Sequence, residues 1–135
     1  AAILFIVEDI SFNICDQRYH EFEIKRQNPS IKVIRKTLTQ LSKEASLSRK
    51  KELIVNNRII GVVYFRAGYS PIFYPTESEW AVRLLIERSL AIKSPSIQYH
   101  LAGTKKVQQA LAMPGILGQY LKDEKMVARV KDIFT

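Results

Sequence analysis

Cysteine is almost missing from this chain: Cys15 is the only one in 135 residues. A single thiol closes no intrachain disulfide and cannot build a cysteine-based zinc site. It accords with a reducing compartment, and a cytoplasmic location is the expectation. Histidine is nearly as scarce, and neither His20 nor His100 has metal-ligand or triad spacing with acidic residues. Both read as structural, and no metal site is expected. No apolar run reaches ~18 residues, so a transmembrane helix is excluded. Internal repeats, low-complexity tracts and flexible linkers are also missing, and the length suits a single domain over residues 1–135.

What is present is basic and apolar. Lys and Arg number 21 against 13 Asp and Glu, a formal net charge of +8, which favours anionic partners without naming one. An apolar fraction of 47% is enough for a core. The opening Ala1-Ala2-Ile3-Leu4-Phe5-Ile6-Val7 lacks a basic flank and a small-residue cleavage site. It reads as a first buried strand rather than a signal peptide.

The chain then alternates between periods. Asp16 is placed to cap a helix running to about Gln27, which Asn28-Pro29-Ser30 stops. Ile31 to Arg35 reads as a strand, and Thr37 to Ala45 as a short helix with Leu38 and Leu41 on one side. Ser46 to Lys51 reads as a basic loop. Leu53-Ile54-Val55, Asn56-Asn57 and Arg58 onward form a β-hairpin, because asparagine tolerates the positive φ of a two-residue turn. Its second strand continues into Phe65. Thr76-Glu77-Ser78-Glu79 has capping-box form, so a helix starts at Thr76 and runs to about Ile92. On it Trp80, Ala81, Leu84 and Leu85 share the expected core face, and Glu79, Arg83 and Glu87 form a ladder. Ile97 to His100 reads as a short strand. Gly103-Thr104 opens a helix that stops before Pro114, and Ile116–Lys122 and Lys125–Phe134 read as amphipathic helices. Strands alternating with helices imply a layered α/β fold.

The segment Val62-Val63-Tyr64-Phe65-Arg66-Ala67-Gly68-Tyr69 carries the most chemistry. A buried strand ends in an arginine, and ligands of α/β sheets sit at strand ends. The guanidinium fork suits a carboxylate or phosphate, Gly68 permits a tight turn, and Tyr69 can wall a small polar ligand. A solvated arginine in a plain turn is the other reading, and it is the commoner fate of strand-end charges.

Three more blocks tip that balance: Asn13-Ile14-Cys15-Asp16-Gln17-Arg18, Glu77 to Glu87, and Leu101-Ala102-Gly103-Thr104-Lys105-Lys106-Val107-Gln108-Gln109. Together with the Arg66 segment they resemble the substrate-binding domain of eukaryotic glutathione synthetase, in order and spacing, from about Asn13 to about Leu121. Ala67 and the stretch Pro75 to Trp80 are nearer to plant-like members; many animal members have an acidic residue at position 67. The resemblance implies a three-layer α/β/α sandwich, pre-ATP-grasp-like, with a mainly parallel sheet plus one β-hairpin. It implies a ligase that joins γ-glutamylcysteine to glycine through an acyl phosphate, with ATP and Mg²⁺. Arg66 then clamps a dipeptide carboxylate, Tyr69 walls the pocket, and Gln17 pairs with an ammonium or a carboxylate. Ser11, Phe12 and Asn13 line the same site, as do Ala67 and Gly68, with no side-chain role for Ala67. Lys105 falls on the family's ATP-contacting lysine, and a helix start there offers free N–H groups. The family's Mg²⁺ ligands, further phosphate-binding lysines and glycine-rich lid have no counterpart here. The expectation is a domain without its ATP-grasp body, inactive in isolation, and part of a homodimer in the full protein.

Other readings remain beside it. A basic module for nucleic acid or an acidic protein is one, but the cations are scattered and not interleaved with aromatics, so no nucleic acid partner is expected. A diverged synthetase-like protein without turnover is another. Cys15 is expected to be a small buried side chain, Trp80 a core residue, and Arg18 a subunit contact or a solvated charge. Glycine, β-alanine or another acceptor amine is not distinguishable.

Overall fold

The computed structural model describes residues 1–134. They form two compact units, residues 1–96 and the described residues from 97 onward. The first is organised around β1 (Ala2–Ile6), where an unbroken apolar run forms a central strand. It pairs in parallel with β2 (Lys32–Lys36) on one edge and β5 (Arg58–Phe65) on the other. Helix α1 (Ile14–Gln27) makes the crossover between β1 and β2.

The antiparallel part is local. β4 (Leu53–Val55) turns through Asn56 and Asn57, at φ 50° and 56°, into β5, and β3 (Ser46–Leu47) pairs with β4. β6 (Ile92–Ser94) pairs in parallel with β5 at Val62–Tyr64. Because β1 holds the other edge of β5 there, β6 extends the edge that β4 leaves. The result is one mixed six-stranded sheet.

Strand β5 carries an extra residue. Ala2 faces Ile60 and Ile3 faces Val62, so Gly61 is a bulge. The bulge resets side-chain alternation and puts Ile60 and Val63 on the same face as Ala2, Leu4 and Ile6. That face packs against Leu38 and Leu41 of α2 (Leu38–Glu44) and Val82 and Ile86 of α3 (Glu77–Arg88). On the other face Phe5 meets Tyr64 edge-on at 4.9 Å, and Tyr64 stacks with His20 of α1 at 5.8 Å.

Several expectations change. Helix α1 starts before Asp16, with Asn13 as a cap residue that makes no side-chain bond. Residues 46 and 47 are a short strand rather than loop. Helix α3 ends at Arg88 because Ser89 leaves helical geometry, and the residues beyond form β6. Its buried face is Glu79, Val82, Arg83 and Ile86. Trp80 and Leu84 are about half exposed, and Trp80 covers Tyr74 by stacking at 3.9 Å instead of entering the core. The expected core face lies nearly opposite the buried one, because a polar pair sits on the inner face; of the expected four, Leu85 packs partly against the core.

The second unit is helical. It comprises α4 (Ile97–Ala102), α5 (Lys105–Leu111), α6 (Leu117–Tyr120) and α7 (Glu124–Lys131), followed by a 3₁₀ turn at Asp132–Phe134. The strand expected at Ile97–His100 is therefore a helix; four residues of mixed pattern did not separate the two periods.

Glu79 shows how α3 is seated. Its carboxylate accepts from Thr76 N at 3.0 Å, from Thr76 Oγ1 at 2.6 Å and from Thr39 Oγ1 at 2.7 Å. The Thr76 bond, then the Thr39 bond, holds its pKa below the ordinary carboxylate value, against the opposing effect of burial. A folded-state pKa below the unfolded one stabilises above the unfolded value and is lost as pH falls through the folded value. Thermal melts across the acid range should therefore show the midpoint dropping with pH, with a shallower drop in Glu79→Gln. Equal slopes in the two proteins would contradict this role.

Candidate functional site

Parallel pairing brings the ends of β1 and β5 side by side, with Ile6 opposite Phe65. The Ile6 carbonyl then accepts from both Arg66 N and Ala67 N, each at 3.0 Å. The two chain exits are thereby tied together, which is where a sheet of this kind presents ligand-binding groups.

The turn after Phe65 is braced from beneath. Gly68 has φ +91°, and its carbonyl accepts from Tyr74 Oη at 2.8 Å. Arg83 Nη1 donates to the same Tyr74 oxygen at 3.1 Å, and the guanidinium lies 3.9 Å from the Phe65 ring centroid. Glu87 Oε1 accepts from Arg83 Nε and Nη2, balancing the buried charge. The expected Arg83–Glu87 rung is thus real, yet its purpose is internal. Glu79 is drawn away to Thr76 and Thr39.

Arg66 is only a quarter exposed, and its Nη2 is 4.0 Å from Asp16 Oδ2. Among the described residues its guanidinium makes no hydrogen bond, so its donors are available to a ligand. Tyr69 is exposed; its ring meets Phe73 at 5.1 Å, and its hydroxyl forms no hydrogen bond among the described residues. Ala67 is buried and contributes backbone only.

Helix α1 brings a second group. Gln17 is fully buried; its Nε2 donates to Ser11 Oγ at 2.6 Å, Ser11 Oγ donates to Glu8 Oε2 at 3.0 Å, and Arg35 Nη2 donates to Gln17 Oε1. Burial pushes the Arg35 guanidinium below its ordinary pKa; nearby Glu21 opposes the shift and Arg18 adds to it. Arg35 Nη1 is buried without a hydrogen-bond partner. Glu21, itself buried, holds Arg18 at 2.8 Å and Lys25 at 3.1 Å.

Of the residues expected at the site, Ser11 and Gln17 are joined directly. Asp16, next to Gln17, brings Arg66 and its Ala67–Gly68 turn to the start of α1. Phe12 is 98% exposed and Asn13 is exposed; neither side chain joins these contacts. Lys105 is an exposed first residue of α5, behind the cap that Thr104 Oγ1 makes to Val107 N. Cys15 is exposed, not buried. It lies two residues before Gln17, roughly 200° around the helix from the buried face. Arg18 is neither bare nor shown against a partner: it pairs with Glu21 and sits 5.2 Å from the Phe22 ring centroid.

A cleft of about 350 Å³ opens beside these strand ends, lined by Val7, Asp9, Thr37, Ala67 and Phe73 among others. Of the expected site residues, only Ala67 reaches it. No group of three His, Cys, Asp or Glu able to hold a metal occurs among the described residues. Sequence reasoning missed Glu8, Arg35, Tyr74 and Arg83. Arg35 had one signal, a charge in the middle of an alternating strand.

The sequence model described as Eukaryotic glutathione synthase matches residues 1–102. The chain is 46% identical to the chloroplastic glutathione synthetase of Arabidopsis thaliana over 134 residues, which is 99% of this chain and 25% of that protein. It is 44% identical to the glutathione synthetase of Homo sapiens over 135 residues, covering 99% of this chain and 28% of that one. Among solved structures, a glutathione synthetase like-effector from Globodera pallida in apoform superposes with a TM-score of 0.72 at 19% identity. That match covers 97% of this chain and 29% of the effector, and it speaks to fold alone.

The brace beneath the turn has a measurable cost of disruption. A Cβ on Gly68 would stand 3.1 Å from Tyr74 Oη, at a φ that side chains rarely adopt. Gly68→Ala should lower stability by about 1–3 kcal/mol in chemical denaturation. A value indistinguishable from wild type would show that the turn is not held as described.

Proposed function

The chain belongs to the eukaryotic glutathione synthetase family, and on that premise we propose that it holds γ-glutamylcysteine for an ATP-dependent carbon–nitrogen ligase. It spans about a quarter of the length of the curated relatives it matches, 25% in one case and 28% in another. Activity, substrates and partners of the whole protein are therefore part of the proposal. The reaction is the joining of the dipeptide to glycine. The cysteinyl carboxylate takes the γ-phosphoryl group of ATP to give an acyl phosphate, and the amine of glycine displaces phosphate. In the whole enzyme ATP and Mg²⁺ supply that activation. In this reading the metal's ligands belong to the rest of the enzyme, and this chain's share is binding and orientation.

The observation that carries the reading is Arg66. Its guanidinium stands at the joined ends of β1 and β5, on a braced turn, with a long 4.0 Å ion pair to Asp16 and no hydrogen bond among the described residues. A planar fork of that kind suits a carboxylate, and holding it still is what lowers the entropy of reaction. Tyr69, on the same turn, supplies a wall and a hydroxyl. Asn13 and Phe12, at the exposed head of α1, are the adjoining surface, and Gln17 and Ser11 lie under it. Lys105 is the proposed ATP contact, on the strength of the family match around it. We further read both units as parts of one domain, a three-layer sandwich of the pre-ATP-grasp kind, with the homodimer and cytoplasmic location of a soluble synthetase.

A basic nucleic-acid module is less well supported, since the cations are scattered along the chain without interleaved aromatics, and some are engaged within the molecule. Arg18, Lys25, Arg26, Lys36 and Arg83 all stand within 3.1 Å of a glutamate.

Titration of the ¹⁵N-labelled chain with γ-glutamylcysteine should shift resonances at residues 66–69 and at the start of α1. Arg66→Ala should weaken binding about tenfold or more, the usual consequence of losing a charge-assisted pair. An unchanged affinity would sink the assignment. Given ATP, Mg²⁺, dipeptide and glycine, the isolated chain should release no phosphate; dipeptide-dependent release would show that the catalytic apparatus is here after all.

A further inference from the structure

A glutamine with no solvent exposure cannot reach a ligand while the loop after β1 keeps its place, and both ends of the Gln17 amide are already engaged. The bonds that engage it have one direction. A guanidinium only donates, so the atom of Gln17 facing Arg35 is the carbonyl oxygen, and Nε2 must face Ser11. Ser11 has one hydroxyl proton. Its oxygen receives Gln17, so that proton goes to Glu8 Oε2. Donors run in sequence from Arg35 through Gln17 and Ser11 to a carboxylate.

The chain ends where ligands can arrive. Glu8 is half-buried, and its other oxygen, Oε1, makes no hydrogen bond among the described residues. It directly follows Val7, whose N–H is fixed on the Lys36 carbonyl at 3.0 Å. Two residues earlier, the Ile6 carbonyl binds the amides of Arg66 and Ala67. A carboxylate and a guanidinium held only by a 4.0 Å ion pair to Asp16 therefore leave adjacent strand ends.

We propose that Glu8 binds the ammonium group of the dipeptide, and that Arg35, Gln17 and Ser11 are positioning residues that hold its carboxylate in place. The proposal rests on the dipeptide reading above. The γ-glutamyl end of the substrate carries an α-ammonium beside an α-carboxylate, so a site that answers only the carboxylate leaves a positive charge unmatched. Glu8 supplies the missing sign through a charge-assisted bond. This also gives a fully buried Gln17 a route to influence binding without touching the ligand.

The test compares two ligands on the full chain by calorimetric or NMR titration: γ-glutamylcysteine, and glutarylcysteine, which lacks only the amino group. Wild type should prefer the first by about tenfold, and Glu8→Gln should bind the two equally. Gln17→Leu and Arg35→Lys should reduce the preference, and Glu8→Asp should restore part of it. Thermal melts of each variant establish that it is folded. A merely structural role would change both affinities together and leave their ratio intact. Arg66→Ala should weaken both ligands. If wild type binds neither, or Arg66→Ala changes nothing, the dipeptide reading fails and takes this proposal with it. If Arg66 matters but Glu8→Gln keeps the wild-type preference, only the proposal for Glu8 is overturned.

Discussion

The parallel seam between β1 and β5 is the constraint on which the rest depends. It is a non-local contact, formed by segments more than fifty positions apart, and the Arg66–Tyr69 turn leaves directly from one end of it. The Ile6 carbonyl, shared by two amides, converts strand pairing into a fixed geometry for the residues beyond. Around it the molecule spends buried charge: Arg83 beneath the turn, Glu21 on α1, and the partly buried Arg35 beside it. Buried ions of this sort contribute little net stability, since desolvation consumes much of the attraction. Their value here is orientation, because each is bonded to an atom that sets the direction of something nearer the surface.

The two faces of the sheet are held by different means. One is aliphatic, with Leu38, Leu41, Val82 and Ile86 closing over β1 and β5. The other is aromatic and polar, with Phe5, Tyr64 and His20 in contact and Gln17 and Glu21 buried on α1. A polar helix against a sheet needs partners for its buried groups: Arg18 and Lys25 pair with Glu21, and Arg35 and Ser11 bond the two ends of the Gln17 amide, with Arg35 Nη1 left over. The site borders this second face. It is therefore organised by hydrogen-bond direction more than by apolar packing.

Much of the fold was legible in the sequence, for local reasons. Asn56-Asn57 named its own hairpin, Thr76 and Glu79 announced a helix start, and the apolar run of β1 had no other use in a chain of this size. What could not be read was the work of distant residues. β6 exists because β5 offers an unpaired edge at Val62–Tyr64, and nothing in Ile92-Lys93-Ser94 says so. The inner face of α3 includes Glu79 and Arg83, whose partners Thr39 and Tyr74 lie in other elements. At the site, Arg66 was legible as a strand-end guanidinium whose role the family likeness favoured, whereas Gln17 and Ser11 rested on that likeness alone. Glu8 and Arg35 owe their places to Ser11 and Gln17, partners in other segments of the chain.

Gly61 has a consequence beyond the core. By adding one position to β5 it decides which of two neighbours, Val63 or Tyr64, meets the aliphatic helices, and it sets the frame in which the strand runs out. The strand behaves like a ruler with one inserted graduation: every mark after the insertion reads differently. Shortening the ruler there would leave the recognition residues intact in composition and send each to the wrong side of the sheet. An ordinary-looking glycine, five positions upstream, thus sets the address of the arginine.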